Sequence, residues 1–269
     1  MGQKKSLENE ISSITIDSRT SKKADLYIAI IGKNHDGNQF TQEVLDNGIK
    51  FAIVSDSAFH SERTILVENG KKALADIASY FRDHIKPKVI AITGSNGKTS
   101  TKEVLVSIMN NYLDRNQLLF TAGNFNNDIG LPLTLINLEK THTHVVLELG
   151  MNHAGEIAEL TKIAKPHIGL ITNIGEAHIQ NFDSKDNIAE AKKELFNNSD
   201  QLEISILPRD DDYYEFLAKD KKDLKEITFG FTQEATINCK VLNDQTITIF
   251  TPEESFDVKI NLLGKHNIK

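Results

Sequence analysis

The sequence predicts an α/β protein. A small amino-terminal α/β domain leads into a larger, mostly parallel-sheet domain with an added antiparallel β portion. Three observations carry this reading. Short apolar runs alternate with helical patterns as far as Asp200. Two of those runs, HVVLELG and HIGLITNIG, are continuously apolar, like strands buried on both faces of a parallel sheet. The stretch KVIAITGSNGKTSTKEVL, from Lys88 to Leu105, reads as a strand, a glycine turn carrying a lysine, and a helix.

In the amino-terminal part, DLYIAII and FAIVS read as strands, with TQEVLDNG between them as a helix stopped at Gly48. KKALADIASYFRDHI reads as a second helix, with Leu74, Ile77, Ala78 and Phe81 at helical spacing. It runs into Pro87, which disfavours helix at Lys86. A boundary is therefore expected at 84–88, giving domains 1–85 and 86–269. The second domain opens on the strand KVIAIT. The helix after it is expected to turn Val104, Leu105, Ile108, Met109 and Tyr112 to one face. GEIAELTKIAK and NIAEAKKELF are further helices. Beyond Asp200, EITFGF, TINCKVL, QTITIFT and SFDVKINLL alternate like antiparallel strands. The final GKHNIK reads as the start of a helix cut short.

Composition excludes several function classes. Hydrophobic residues at 39% and charged residues at 26% are ordinary for a globular protein. A net charge of −7 argues against a general nucleic-acid binder, which needs a basic surface. The one cysteine, Cys239, makes an intrachain disulfide impossible, so a reducing, cytoplasmic location is expected. No run approaches the roughly 18 apolar residues of a membrane helix, and no membrane partner is expected. MGQKKS matches a loose myristoylation pattern that nothing else supports. A monomer is expected.

The common phosphate loop is G-x-x-x-x-G-K-[ST]. Counting back from Gly97-Lys98-Thr99, its first glycine would be residue 92, which is Ile92. The glycine here is Gly94, so the loop is two residues shorter. The chemistry still holds. Backbone N–H groups at a helix start cradle an anion, and Gly94 and Gly97 allow the turn. The loop Gly94, Ser95, Asn96, Gly97, Lys98, Thr99, Ser100 is expected to bind a nucleoside triphosphate such as ATP. Lys98 would contact the β- and γ-phosphates, and the Thr99 hydroxyl would ligate Mg²⁺. The missing glycine at 92 disfavours an ordinary phosphate-loop kinase or GTPase.

TGSNGKTSTK resembles the short loop of the Mur ligase family, the ATP-dependent amide ligases that build the peptide of bacterial peptidoglycan. Four further stretches fit that family in order: GNFNNDIGLP, ELGMNHAGEI, NIGEAHI and AEAKKELF. ITIDSRT followed by ADLYIAIIGKNHDGNQF is similar to the family's uridine-nucleotide-binding domain. The asparagine-rich GNFNND is most similar to the branch that joins D-alanyl-D-alanine to UDP-N-acetylmuramoyl-tripeptide. The resemblance implies phosphorylation of a carboxylate to an acyl phosphate, then attack by an amine. It also implies a third, Rossmann-like domain beyond residue 269, so this chain is expected to bind substrates but to turn over poorly. Two alternatives stay open: a sister ligase adding a single amino acid, and a non-catalytic nucleotide-binding fragment.

The resemblance gives roles to particular residues. Glu148 ends the strand HVVLELG, where ligands gather in open α/β sheets. It is implied to ligate Mg²⁺, the alternative being a solvated strand-end carboxylate. His178 is implied to ligate a second Mg²⁺. His153 is a weaker candidate for lining the site, while His142 and His144 receive no role. AEAKKELF offers two lysines. At about 100° per residue from Ile188, Lys192 falls near +40°, inside the arc of Leu195, Ala191, Phe196 and Ala189. Lys193 falls near +140°, at the arc's edge, and is expected to face water. Burial would lower the pKa of Lys192, and a neutral amine can take up CO₂ to become an anionic carbamate. The family's lysine at this position is carbamylated. The alternative is a lysine lying along the sheet with its charge in water.

Asp17, Ser18 and Arg19 match the family's motif for the uridine-nucleotide sugar. Gly123, Asn124, Asn126 and Asn127 are expected to line the muramoyl-peptide end, though GNFNND is also a plausible plain loop. His266 and Asn267 are implied to lie near the adenosine.

Overall fold

The computed structural model describes residues 11–219, 224–243 and 246–259. The expectations for His266, Asn267 and the amino-terminal MGQKKS lie outside them. The chain divides into two compact units, Met1–Ala78 and Ser79–Lys269.

In the first unit, β1 (Ile14–Thr15), β2 (Leu26–Ile28), β3 (Phe51–Val54) and β4 (Thr64–Leu66) form a parallel sheet in sequence order. The expected helix is α1 (Thr41–Asp46), and Gly48 follows it at φ 105°. Tyr27, Ala29, Val44, Leu45, Ile49, Ala52 and Val54 make the core. The strands β1 and β4 were not expected. One is two residues long, and the other exposes Ile65 and Leu66, so neither carries a burial pattern. The second helix, α2 (Gly70–Ile85), spans the division between the units.

The second unit contains β5 (Lys88–Thr93), α3 (Lys98–Met109), β6 (Leu118–Phe120), α4 (Gly130–Leu135), β7 (His144–Glu148), α5 (Glu156–Ala164) and β8 (Ile168–Ile171). There follow α6 (Lys185–Asn197), β9 (Ile204–Pro208), α7 (Tyr214–Ala218), β10 (Lys225–Gly230), β11 (Ile237–Asn243), β12 (Thr246–Phe250) and β13 (Ser255–Lys259). One sheet takes all nine strands in the order β13-β12-β11-β10-β9-β8-β5-β7-β6. From β5 the chain moves outward to β6 on one side, then crosses back to β8 on the other. That reversal makes a switch point, and in open α/β sheets ligands bind outside the strand C-termini at such a point.

Three expectations need correction. First, β10 is parallel to both β9 and β11; only β11, β12 and β13 run antiparallel. An alternating pattern reports one covered face, not strand direction, and β9, unread in the sequence, supplies the parallel neighbour. Second, Val104, Ile108 and Tyr112 of the α3 segment are 49%, 51% and 85% exposed. The helix instead buries Lys102 and Val106, with Leu105 and Met109 packed against Ile92, Leu118 and Val146. Two apolar stripes run side by side on this segment, and the sheet covers the one that includes Lys102. Third, Lys193 is buried, with its ammonium 4.7 Å from the centre of the Phe216 ring. The short α7 packs on α6 and supplies that ring, so the edge of the arc is covered.

Among the described residues, no helix is long and apolar enough to cross a membrane.

Candidate functional site

The switch point opens into a cleft of about 720 Å³ in the second unit. Its lining includes the loop from Ser95 to Ser100, and Asn124, Asn126, Asn127, Glu148, His178 and Lys192. Sequence positions up to 97 residues apart on the chain thus meet in one place, because β5, β7 and β8 end side by side.

The glycine loop connects β5 to α3. Gly97 stands at φ 80° immediately before α3, a left-handed turn that glycine makes without strain. Gly94 stands at φ 150°, and a Cβ there would lie 1.9 Å from Thr172 Oγ1. The close packing has a purpose visible in the hydrogen bonds. Ser95 N–H donates to Asn173 O at 3.0 Å, and Asn96 N–H to Asn173 Oδ1 at 3.0 Å. Thr172 Oγ1 and Asn173 Nδ2 donate back to Asn96 O, and Ser95 Oγ bonds both N–H and C=O of Gly175. The end of β8 therefore clamps the loop. The amides of Ser95 and Asn96 serve this clamp, so anion binding falls to those opening α3, which have no earlier turn to bond. Sequence alone points to Ser95 and Asn96 as loop residues but gives Thr172 and Asn173 no clamping role; the polar TN after the apolar run HIGLI is their signal.

Lys98 Nζ donates to Gly94 O at 2.6 Å and Ser95 O at 3.3 Å, folded over its own loop. Burial lowers its pKa, and the charge of Glu148 opposes that shift.

Glu148 is the centre of the polar cluster. It is 2% exposed, accepts from Thr99 Oγ1 at 2.8 Å on one oxygen, and from Asn126 Nδ2 at 2.8 Å on the other. Both donors are neutral. No cation touches the carboxylate directly, although the Lys98 charge lies within electrostatic reach, so its oxygens could turn to an arriving metal ion. Among the described residues no three His, Cys, Asp or Glu side chains group to hold a metal. Hard oxygen ligands for Mg²⁺ would thus be Glu148 and the Thr99 hydroxyl. Lys192 could join them only after its nitrogen gained an anionic carboxyl.

Lys192 meets the condition for that change. It is 3% exposed, and burial with the nearby charge of Lys98 brings its pKa down to about 7. A large neutral fraction is therefore present at neutral pH. The orientation of its helix is fixed at two points. Ser184 caps α6 by accepting from Asn187 N–H at 3.2 Å. Glu194, one turn short of the helix end, accepts from Gly155 and Ala158 N–H at 2.8 and 2.9 Å, capping α5.

His178 lines the same cleft on an exposed left-handed residue, φ 65° and ψ 19°. Asn124 is exposed at the cleft, and Asn127 Oδ1 caps α4 through the N–H groups of Ile129 and Gly130. His153 pairs with Glu156 at 3.1 Å and is absent from the cleft lining. In the first unit, Asp17 and Arg19 pair with each other, Nη2 to Oδ2 at 2.7 Å, and this hydrogen-bonded pair holds Asp17 at about 2.

Comparison with known proteins gives the family of the chain. The Mur ligase middle domain matches residues 92–269, and the Mur ligase family, catalytic domain, matches residues 10–82. A UDP-N-acetylmuramoyl-tripeptide–D-alanyl-D-alanine ligase of Buchnera aphidicola is 39% identical, over 96% of this chain and 57% of its own length. The Escherichia coli enzyme of that name is 30% identical, over 99% of this chain and 60% of its own. A crystal structure of MurF from Acinetobacter baumannii superposes with a TM-score of 0.90 at 34% identity, covering 97% of this chain and 58% of that one. MurF from Thermotoga maritima, solved in complex with ADP, gives 0.85 at 28% identity, covering 95% and 60%. The chain thus spans somewhat over half the length of these relatives, and it belongs to the Mur ligase family.

Proposed function

We propose that this chain is the acceptor- and ATP-binding part of a MurF-type ligase. The reaction joins D-alanyl-D-alanine to UDP-N-acetylmuramoyl-tripeptide at the expense of ATP. Residues 1–85 would take the uridine nucleotide through Asp17, Ser18 and Arg19, and residues 86–269 would take ATP and the peptide end. The observation that carries the reading is the contact of Thr99 with buried Glu148, at the mouth of a glycine loop, in a cleft that also holds Lys192.

In the first step, a carboxylate oxygen of the acceptor attacks the γ-phosphorus, and the bond to ADP breaks. In the second, the dipeptide amine attacks the acyl carbon, loses a proton, and expels inorganic phosphate. Lys98 would leave its loop carbonyls for the β- and γ-phosphates, and the α3 amides would hold phosphate oxygens. Glu148, the Thr99 hydroxyl, His178 and a carbamylated Lys192 would hold two Mg²⁺ ions. When bound, magnesium neutralises phosphate charge as it transfers. Asn126 would keep Glu148 aimed, while Asn124 and Asn127 would line the peptide end. A cytoplasmic location fits this chemistry, since the substrates are water-soluble nucleotides and peptides.

The test is phosphate release from Mg-ATP with UDP-N-acetylmuramoyl-tripeptide, D-alanyl-D-alanine and bicarbonate. It compares this chain with a version extended to its relatives' length. We expect Mg-ATP binding by both and release by the longer version, lost in Lys192→Ala. Release that accepts a single amino acid in place of the dipeptide would move the assignment to the sister ligase. No release from either, with both folded and binding ATP, would overturn the ligase reading.

A further inference from the structure

We infer that Lys102 and Thr121 are positioning residues that set Glu148 for a divalent cation. The inference rests on the reading of Glu148 given above. Lys102 is fully buried on α3, one turn beyond Thr99. A lysine is rarely buried whole, because its ammonium loses hydration. Here Nζ donates to the backbone carbonyl of Thr121 at 2.7 Å and meets the largely exposed Glu103 carboxylate at 2.8 Å.

Thr121 is also fully buried, immediately after β6. Its hydroxyl accepts from Glu148 N–H at 3.0 Å, and its own N–H donates to Val146 O at 3.0 Å. So α3 reaches the end of β7 at two levels. Thr99 touches the Glu148 carboxylate directly, and Lys102 reaches the Glu148 backbone through Thr121. Residues 99 and 102 lie on one helix face, three apart, so a shift of α3 would move both contacts together. Nucleotide phosphate binds at the start of that same helix under our reading. The Lys102–Thr121 link therefore keeps the cation ligand in register with the phosphate cradle.

A staple that only stabilised the fold would affect all ligands alike. The discriminating readout is the ratio of ATP affinity with saturating Mg²⁺ to that in EDTA, with Mn²⁺ binding by paramagnetic resonance as a direct metal signal. Lys102→Met keeps the stem and removes the donor. Thr121→Val removes the hydroxyl that Glu148 N–H uses, and Thr121→Ser retains it. Expected for Lys102→Met and Thr121→Val are a fall of about tenfold in the Mg²⁺-to-EDTA ratio and weaker Mn²⁺ binding. ATP affinity in EDTA should change less than about twofold, and Thr121→Ser should match the parent. Equal losses with and without metal, or no loss in either variant, would overturn the inference. If Lys102→Met fails to fold, the Thr121 pair decides by the same criterion. A parent chain that binds ATP without any response to Mg²⁺ or Mn²⁺ would instead overturn the reading of Glu148, and this inference with it.

Discussion

The two halves of the nine-stranded sheet are built from similar residues and carry different loads. In the parallel half, β5, β7 and β8 end together and release their chains into polar loops around one cleft. In the antiparallel end, Cys239, Ile249 and Phe256 lie opposite one another, as do Val241, Ile247 and Val258. Those residues share one apolar face, while Lys240, Thr248 and Asp257 share the other. Antiparallel neighbours return by short turns, so their ends alternate between two edges. Parallel neighbours gather every C-terminus on one edge. Chemistry collects where strand ends collect, and that difference is open to test.

The largest expected effect is at the loop. Gly94→Ala would drive a methyl into Thr172 at a glycine φ. We expect a stability loss of roughly 3 kcal/mol, as for strained and overpacked sites, and ATP binding below detection by calorimetry. Next is Glu148→Gln, which keeps the shape and removes the charge. Mg²⁺-dependent ATP affinity should fall roughly a hundredfold, as expected for several kcal/mol of metal binding, with thermal stability unchanged or raised. Preserved metal dependence would break the division between the two halves.

The third change probes the other half. Ile247 is 6% exposed on β12, and Ile247→Ala should cost about 2 kcal/mol by urea unfolding. ATP affinity should be unchanged; a parallel loss of ATP binding would join the two regions functionally.

The fourth test is the pH response of Lys192. Its pKa is about 7 when folded against 10.5 ordinarily. Between those values the unfolded chain holds the extra proton, so this group's penalty is complete below pH 7 and fades as pH rises toward 10.5. Lys192→Met should therefore raise the melting temperature more at pH 6 than at pH 9. An equal gain at both would mean that Lys192 is not held in a desolvated setting.

Much of the parallel half was legible because its signals are local. The strand, glycine turn and helix at 88–105 are contiguous, and the inward turn of Lys192 follows from helical geometry alone. What was hidden depends on partners far along the chain. Lys193 reads as a surface residue until α7 places Phe216 over it. Asn126 reads as a residue of the peptide end, and its bond to Glu148 emerges only once β7 brings the two together. Nothing nearby in sequence marks Lys102 for burial, because its acceptor, the carbonyl of Thr121, lies 19 residues away. The direction of β10 was equally invisible, since side-chain alternation is the same for both orientations.

The backbone at His178 carries a consequence for descent. A left-handed φ of 65° admits glycine, asparagine, aspartate and histidine far more readily than any β-branched residue. Three of those four bear a nitrogen or oxygen able to face a cation. Substitution drift at this corner is thus confined to a small alphabet, most of which keeps a polar donor or acceptor atom at the cleft.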